Sequence, residues 1–515
     1  MSGPSASGER SATLRTWLGF AAMCTGMFMA ILDIQVVSTS LFAIRDALAI
    51  DPEQISWIQT AYLTAEILAI AITGLFTRAF GVRVLFAAAV GVFTLASIAC
   101  AASGGFEMLI ISRVVQGFSG GMLIPLVFST VFLLFPDRLQ GPATTLAGML
   151  AVLGPVAGPV VGGWLTARYS WHWLFLINVL PGVFACGLGL ALLDREKWTP
   201  QVLRTLDGLG LGLLFLSLVA LEIGLKEAPE RGWLSILVLA LFAISALCGA
   251  LFVLGSARPA TLARAPVLRL DTFRDADFAT GCALSFVLGM GLYGSVYLMP
   301  AFLGLVSGKN PLGIGMVMLV TGVTQLLTSP VAVALERRVS TRLLSVCGFC
   351  LFGVGLAMSA FATVDTDFAG MFWPQVVRGA AIMLCLLPPT RLALGTLRPE
   401  VIPDASSLFN LMRNLGGAIG IALIDTVLFT RVPIHAEALR QRLLAGDAGA
   451  AILVGLPPDL VQAPMQTPVS PDVEALVRPL VEKAALVLSI NEAWAMLAVL
   501  AFAAALLAIG RRSQR

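Results

Sequence analysis

The chain has 515 residues, 58% of them apolar and only 12% charged, about half the charged fraction of an ordinary soluble domain. At about 20 residues per bilayer crossing, this supplies on the order of a dozen spans and leaves little for a water-soluble domain, so the composition is that of an all-α polytopic membrane protein. Thirty-three Lys and Arg against 30 Asp and Glu give a net charge of +3, too balanced for nucleic-acid binding, which gathers basic residues on one soluble face.

A polar segment, 1–16, precedes the first apolar run, which is too long for a signal-peptide core and is read as a retained span. Apolar runs of span length then predict fourteen helices, at 17–39, 55–77, 84–103, 106–130, 142–166, 172–193, 207–226, 234–255, 278–304, 311–334, 342–363, 368–390, 404–429 and 487–509. They divide into a tail (1–16), a six-helix bundle (17–193), a linker (194–206), two inserted helices (207–255), a second linker (256–277) and a second six-helix bundle (278–509). The second bundle contains a loop at about 430–486 on the outer side, and residues 510–515 form the last tail. With the N-terminus inside, short inner segments hold twenty Lys and Arg against five outside, so both termini are expected to be cytoplasmic. Trp57, Trp171, Trp173, Trp233 and Trp373 fall near helix ends, where an aromatic belt sits.

The eight cysteines all lie in apolar runs and read as packing residues, Cys347 and Cys350 included. With His172 and His435 the only histidines, a metal site is not expected. No phosphate-cradling Gly-x4-Gly-Lys-Ser/Thr loop is present, so neither a cofactor nor ATP hydrolysis is expected.

An internal repeat runs through the chain. Arg113-Val-Val-Gln-Gly117 recurs as Gln375-Val-Val-Arg-Gly379, Ala143-Thr-Thr-Leu146 as Ala405-Ser-Ser-Leu408, and Gly154 and Gly158 as Gly416 and Gly420, all offset by 262 residues. Arg78-x4-Arg83 is echoed by Arg337-x4-Arg342. The fourth and fifth helices are thus copied as the twelfth and thirteenth, with the seventh and eighth inserted between two six-helix halves. Parallel repeats with a site at their interface are a common transporter plan.

Ionisable groups deep in a span are costly and mark function by default. Asp33, Glu66, Arg113 and Arg378 are such groups. One reading makes Asp33 and Glu66 proton or cation sites with Arg113 as the counter-charge; the other is a fixed ion pair that only joins helices. Arg378 fits a pocket or a structural role equally. Glu222 and Asp425 sit toward helix ends, where an exposed or snorkelling position is expected. Gly154-Pro155-Val-Ala-Gly158-Pro159-Val-Val-Gly162-Gly163 places small residues on one face and prolines beside them, suiting close packing at a kink. Gly74-x3-Arg78-x2-Gly81-x-Arg83 reads as a tight inner turn, or as ordinary positive-inside bias. Tyr293 and Tyr297, one turn apart, line an apolar pocket or pack as aromatics.

The combination resembles the major facilitator superfamily, specifically the fourteen-span drug:proton antiporters of the EmrB/QacA type. The matching segments are Leu32-Asp33-Ile-Gln-Val-Val, the Gly74 to Arg83 loop, Leu109-Ile-Ile-Ser-Arg113-Val-Val-Gln-Gly117, the Gly154 to Gly163 run, Trp171-His-Trp-Leu-Phe-Leu-Ile-Asn178-Val, Trp373-Pro-Gln-Val-Val-Arg-Gly379 and Ser406-Ser-Leu-Phe-Asn-Leu-Met-Arg413-Asn. Asn491-Glu492 is similar to the EmrB branch. The resemblance implies export of lipophilic or amphipathic compounds across a bacterial inner membrane, driven by proton entry. Within it Asp33 acts in proton or substrate coupling, Arg113 in proton coupling, the Gly154 to Gly163 run as a conformational seal and the Gly74 to Arg83 loop as a cytoplasmic gate latch. It also implies a periplasmic adaptor and an outer-membrane channel as partners, with the long outer loop as a docking or lid element. This chain carries Arg78 where the family loop usually has an aspartate, so the usual latch contact is not expected to form. A dedicated exporter of one metabolite, siderophore or fatty acid fits the same fold. Duplicated halves with few intramembrane charges argue against a membrane-embedded enzyme, which needs a converging catalytic cluster. The absence of a carbonyl-filter or charged-ring pattern argues against a channel.

Overall fold

The computed structural model describes residues 13–38, 40–50, 54–55, 57–195, 199, 207–256, 267–457 and 471–510. Regular structure among them is entirely helical, as a chain in hydrocarbon requires when each backbone group must find its partner within its own segment. In order come α1 (Leu14–Ser38), α2 (Leu41–Leu48), α3 (Trp57–Ala101), α4 (Phe106–Leu134), α5 (Asp137–Arg168), α6 (Trp173–Leu176), α7 (Val179–Leu192), α8 (Gly208–Arg231) and α9 (Ile236–Ser256). A 3-10 turn (Leu270–Arg274) then leads into α10 (Ala276–Ala301), followed by α11 (Pro311–Glu336), α12 (Thr341–Ser359), α13 (Phe368–Leu394), α14 (Ile402–Leu444), α15 (Ala448–Val454) and α16 (Pro471–Gly510). Twelve of the described helices are long and apolar enough to cross a membrane, or thirteen with the bent α5 counted as one span.

Three departures from the predicted elements have identifiable causes. The second and third predicted helices run together as the 45-residue α3, at 1.5 Å per residue about 68 Å and over twice a hydrocarbon core. Gly81, at φ 77° and ψ 162°, breaks it into two arms; that conformation strains any residue with a Cβ. α5 bends by 42° between its 137–155 and 157–168 segments, where Pro155 and Pro159 remove backbone donors. The outer stretch 430–486 is mostly helix and not loop: α14 continues to Leu444 and α16 starts at Pro471. Leu439, Leu443, Val454, Val481 and Ala485 bury one another there. Charged residues on the opposite face lower the hydropathy and hide this amphipathic extension from a search for apolar runs. The Arg431 guanidinium grips Glu492 with both arms, at 2.6 and 2.8 Å, and His435 lies 2.9 Å from the same carboxylate, tying α14 to α16 where the extension leaves the bundle.

Of the predicted linkers, 196–198, 200–206 and 257–266 lie outside the described residues, and the end of the second carries the 3-10 turn Leu270–Arg274. Two large apolar clusters fill the bundle: Phe20, Phe86, Phe93 and Phe128 belong to one, which continues into Phe278 of α10, Leu394 of α13 and Phe409 of α14, and Phe349, Phe352, Trp494 and Leu497 belong to the other, which lies within the second half. The halves meet where α5 packs on α11 and where α3 packs on α14. α8 and α9 pack on each other, and α8 also reaches α3 and α14. α9 turns a nearly unbroken apolar surface outward, with Ile236 88% exposed, as a lipid-facing helix does.

The repeat has a physical counterpart in close backbone approach. A Cβ on Gly154 would lie 2.8 Å from the Ile31 side chain, and Gly158 presses on Gln35, both on α1. In the second half Gly416 presses on the Phe286 backbone, and a Cβ on Gly420 would lie 2.8 Å from Met290 Cα, both on α10. Gly117 likewise meets the Tyr62 backbone, and its copy Gly379 the Thr321 backbone.

Candidate functional site

The glycine face of α5 holds α1 tightly on either side of Asp33, which is 1% exposed. Arg113 of α4, fully buried, donates through Nη1 to Asp33 Oδ2 at 2.5 Å and to Gln116 Oε1 at 2.7 Å. Gln116 Nε2 donates to Asp33 Oδ1 at 2.9 Å and to Ser97 Oγ at 2.9 Å, and Asn178 Nδ2 donates to the same Asp33 oxygen at 2.7 Å. Arg113 Nε donates to the Ile58 carbonyl at 3.2 Å, and the guanidinium lies over the Tyr62 ring, 4.3 Å from its centroid. Taking two charges out of water costs several kcal/mol per ion, and charge-assisted hydrogen bonds from both sides offset it here. The amides of Gln116 and Asn178 complete the cluster. Neither stands out in the sequence as a charge does, although Gln116 is one turn from Arg113 and so shares its helix face.

Glu66 is not part of this cluster. It is 2% exposed on the first arm of α3, and no hydrogen bond or ion pair to it is found among the described residues. Close contact of α3 with α4 places it: a Cβ on Gly121 would fall 2.5 Å from the Glu66 carbonyl oxygen. Its side chain lines a cavity of about 190 Å³ between the halves, shared with Glu222 and Lys226 of α8, Tyr293 of α10, and Asn414 and Asp425 of α14. Glu222 and Asp425 therefore face inward instead of snorkelling at helix ends, because α8 and α14 pack on each other there. Tyr293 donates to Asn414 Oδ1 at 3.3 Å, and Tyr297 donates to Asp425 Oδ1 at 2.6 Å. Arg378 lies away from this cavity, bonded to Gln375 with its guanidinium 4.9 Å from the Trp494 ring centroid. Together Gln375 and Arg378 are the repeat copy of Arg113 and Gln116 with the charge moved by one turn. Arg413, 6% exposed, is a further buried cation that the sequence shows only as one member of a matching segment. It sits between the Phe128 and Phe409 rings and donates to Ser285 Oγ at 3.3 Å.

The contact expected to be lost at Arg78 forms with reversed polarity. At the end of the first arm of α3, Gly74 lies so near α14 that a Cβ there would be 2.7 Å from Asp404 Cα, and its amide donates to Ser407 Oγ at 2.8 Å. Arg78 is ion-paired with Asp404, which is fully buried in the first turn of α14, and Arg269 Nε approaches the same carboxylate at 3.4 Å. An acid in a helix's first turn also suits the positive end of its dipole. Arg83 follows Gly81, half-buried, on the second arm. Across the repeat, Glu336 of α11 pairs with Arg391 at 3.5 Å, and a Cβ on Gly141 of α5 would fall 2.8 Å from its Oε2. Both joints sit on the molecular face from which α1 starts, where Arg15 reaches the Leu192 carbonyl.

Residues 23–421 match the family described as Major Facilitator Superfamily. The chain is 36% identical over 428 residues, 83% of each chain, to the colistin resistance protein EmrB of Acinetobacter baumannii. It is 29% identical over 424 residues, 82% of this chain and 81% of the relative, to the multidrug export protein EmrB of Escherichia coli K12. To the fatty acid resistance protein FarB of Neisseria gonorrhoeae it is 28% identical over 411 residues, 79% of this chain and 80% of the relative. With two glycine-packed halves, the repeat between them and a match that spans both, this multi-pass membrane chain belongs to the Major Facilitator Superfamily.

Proposed function

We propose that the chain is a proton-coupled efflux antiporter that exports lipophilic and amphipathic compounds, drugs among them, by alternating access. The observation that carries this reading is the coexistence of a paired acid, Asp33 on Arg113, and an unpaired one, Glu66, buried at adjoining places in the first half. A proton arriving at Asp33 would release Arg113 from its charge partner, and a proton at Glu66 would discharge the cavity wall. The α5 run Gly154, Pro155, Gly158, Pro159, Gly162 and Gly163 links the first acid to helix motion, because it packs on α1 around Asp33. Counting the two arms of α3 separately brings the spans to fourteen and puts both ends of the chain on one side, the cytoplasmic side by charge bias. The names of the relatives support a bacterial inner-membrane exporter, and the α14–α16 extension offers a rigid surface for a periplasmic adaptor that continues to an outer-membrane channel.

The cavity of about 190 Å³ is smaller than a drug-sized pocket, which favours a second reading as an exporter dedicated to one small metabolite or fatty acid. One assay separates the two. In proteoliposomes under an imposed pH gradient, movement of several unrelated compounds with proton counterflow, lost in Asp33→Asn and in Glu66→Gln, is the expected result. Response to a single compound would select the dedicated exporter. Wild-type rates in both variants would remove the two acids from coupling.

A further inference from the structure

Two carboxylates in the cavity lack partners, and they come from different parts of the chain. Glu66 belongs to the first six-helix half; Glu222 belongs to α8, one of the inserted helices. Glu222 Oε2 is buried without a hydrogen-bond partner, and Glu66 is 2% exposed with none among the described residues. The two other charged groups on the wall are already engaged. Lys226, one turn beyond Glu222, has its ammonium over the Trp57 ring, 4.3 Å from the centroid, and Asp425 accepts from the Tyr297 hydroxyl at 2.6 Å. Between the acids the wall is aliphatic, from Leu63, Ile67, Leu225 and Ile421.

We propose that Glu66 and Glu222 form one binding site for an organic cation, a quaternary or protonated amine with a compact apolar body, and that α8 is present to supply its second carboxylate. Uncompensated charge in a low-dielectric site is costly, so two acids on one cavity wall hold either protons or a cation. An ammonium between them satisfies both. A neutral or anionic ligand of the same shape leaves the acids uncompensated and is disfavoured. Lipophilic weak acids are therefore poor ligands here, and the aliphatic wall selects apolar bulk on the cation over hydrated metal ions. Since a cation displaces what the acids hold when empty, its binding expels protons. The site depends on the exporter reading only for the transport step after binding.

The test uses the full-length protein in detergent with benzyltrimethylammonium as probe and its neutral carbon isostere, neopentylbenzene, as control. Calorimetry is expected to show the cation binding at least tenfold tighter than the isostere, with proton release into weak buffer. Glu222→Gln should weaken the cation at least tenfold while leaving the isostere within twofold, and Glu222→Asp should recover most of the loss. Equal affinity for the two compounds, or unchanged cation affinity in a folded Glu222→Gln variant, overturns the site. Carbodiimide labelling of the wild-type protein serves where that variant does not fold: the cation should protect both Glu66 and Glu222, and protection of neither overturns the proposal. Cation binding that passes these tests without proton-driven flux in vesicles would sink the exporter reading alone. Proton-driven flux of the cation that is indifferent to Glu222→Gln would sink the site and leave export standing.

Discussion

Asp33 shows how much of a buried charge's behaviour is decided by uncharged neighbours. Its two oxygens take donors from Arg113, Gln116 and Asn178, so the carboxylate is held as a charge, and its discharge requires those side chains to turn away. Arg113→Ala should cost about 3 kcal/mol or more, because it strands an acid already out of water. Gln116→Ala should cost about 1–3 kcal/mol, the effect of removing one buried amide from between two charged groups. Thermal unfolding in detergent measures both, and equal melting temperatures for wild type and Gln116→Ala would mean the amide is idle. At this scale the burial of Asp33, Glu66 and Arg113 was legible, because a charge inside an apolar run of span length has to lie within the bundle. Ser97 and Asn178 were not, since their relation to Asp33 exists only after four helices assemble. Glu222 was misjudged for a related reason: distance from a helix end cannot tell whether that end meets lipid or another helix.

Helix contacts in this chain are made by backbone as much as by side chains. Gly117 meets the Tyr62 backbone and Gly121 the Glu66 backbone, so α3 and α4 touch with nothing between them and Glu66 is fixed in height. A Gly121→Ala substitution pushes its methyl to 2.5 Å from the Glu66 oxygen; overpacking of this kind costs about 1–3 kcal/mol, and the melting temperature should fall accordingly. The latch offers a sharper contrast. Asp404→Asn removes the carboxylate that Arg78 and Arg269 share, whereas Arg78→Gln leaves Asp404 with Arg269 at 3.4 Å. Transport should drop at least tenfold in the first and distinctly less in the second; the opposite ranking in vesicle flux would dismiss the shared carboxylate as the centre of the joint. Apolar runs revealed nearly every membrane helix, and Gly81 was already singled out in the turn. The extension of α14 and α16 was invisible to the same search because its stability comes from one buried face and the Arg431–Glu492 clamp, not from mean apolarity.

For the whole molecule, the two halves are joined where α5 packs on α11 and where α14 packs on α3 and α4. On the face opposite the latches, a Cβ on Gly315 of α11 would lie 3.1 Å from Val160 Cβ of α5, close enough for a disulfide after small adjustment. With the exposed Cys347 replaced, the oxidised Val160→Cys/Gly315→Cys protein should stop transporting and resume on reduction. Undiminished flux through the oxidised protein would rule out separation of these ends as a step in the cycle. The repeat could be read from the 262-residue offset; the engagement of α8 with the cavity could not, because α8 has no copy in that repeat to be compared with.

The reversed latch also makes the halves specific to each other. Arg78 travels with the first half and Asp404 with the second, so a recombination event inside the linker inherits one partner without the other. Joined to a second half with a neutral residue at that place, this first half would lose the Asp404 partner of Arg78 at its seam. Exchange of halves between such transporters would therefore have to keep the two signs matched at this pair.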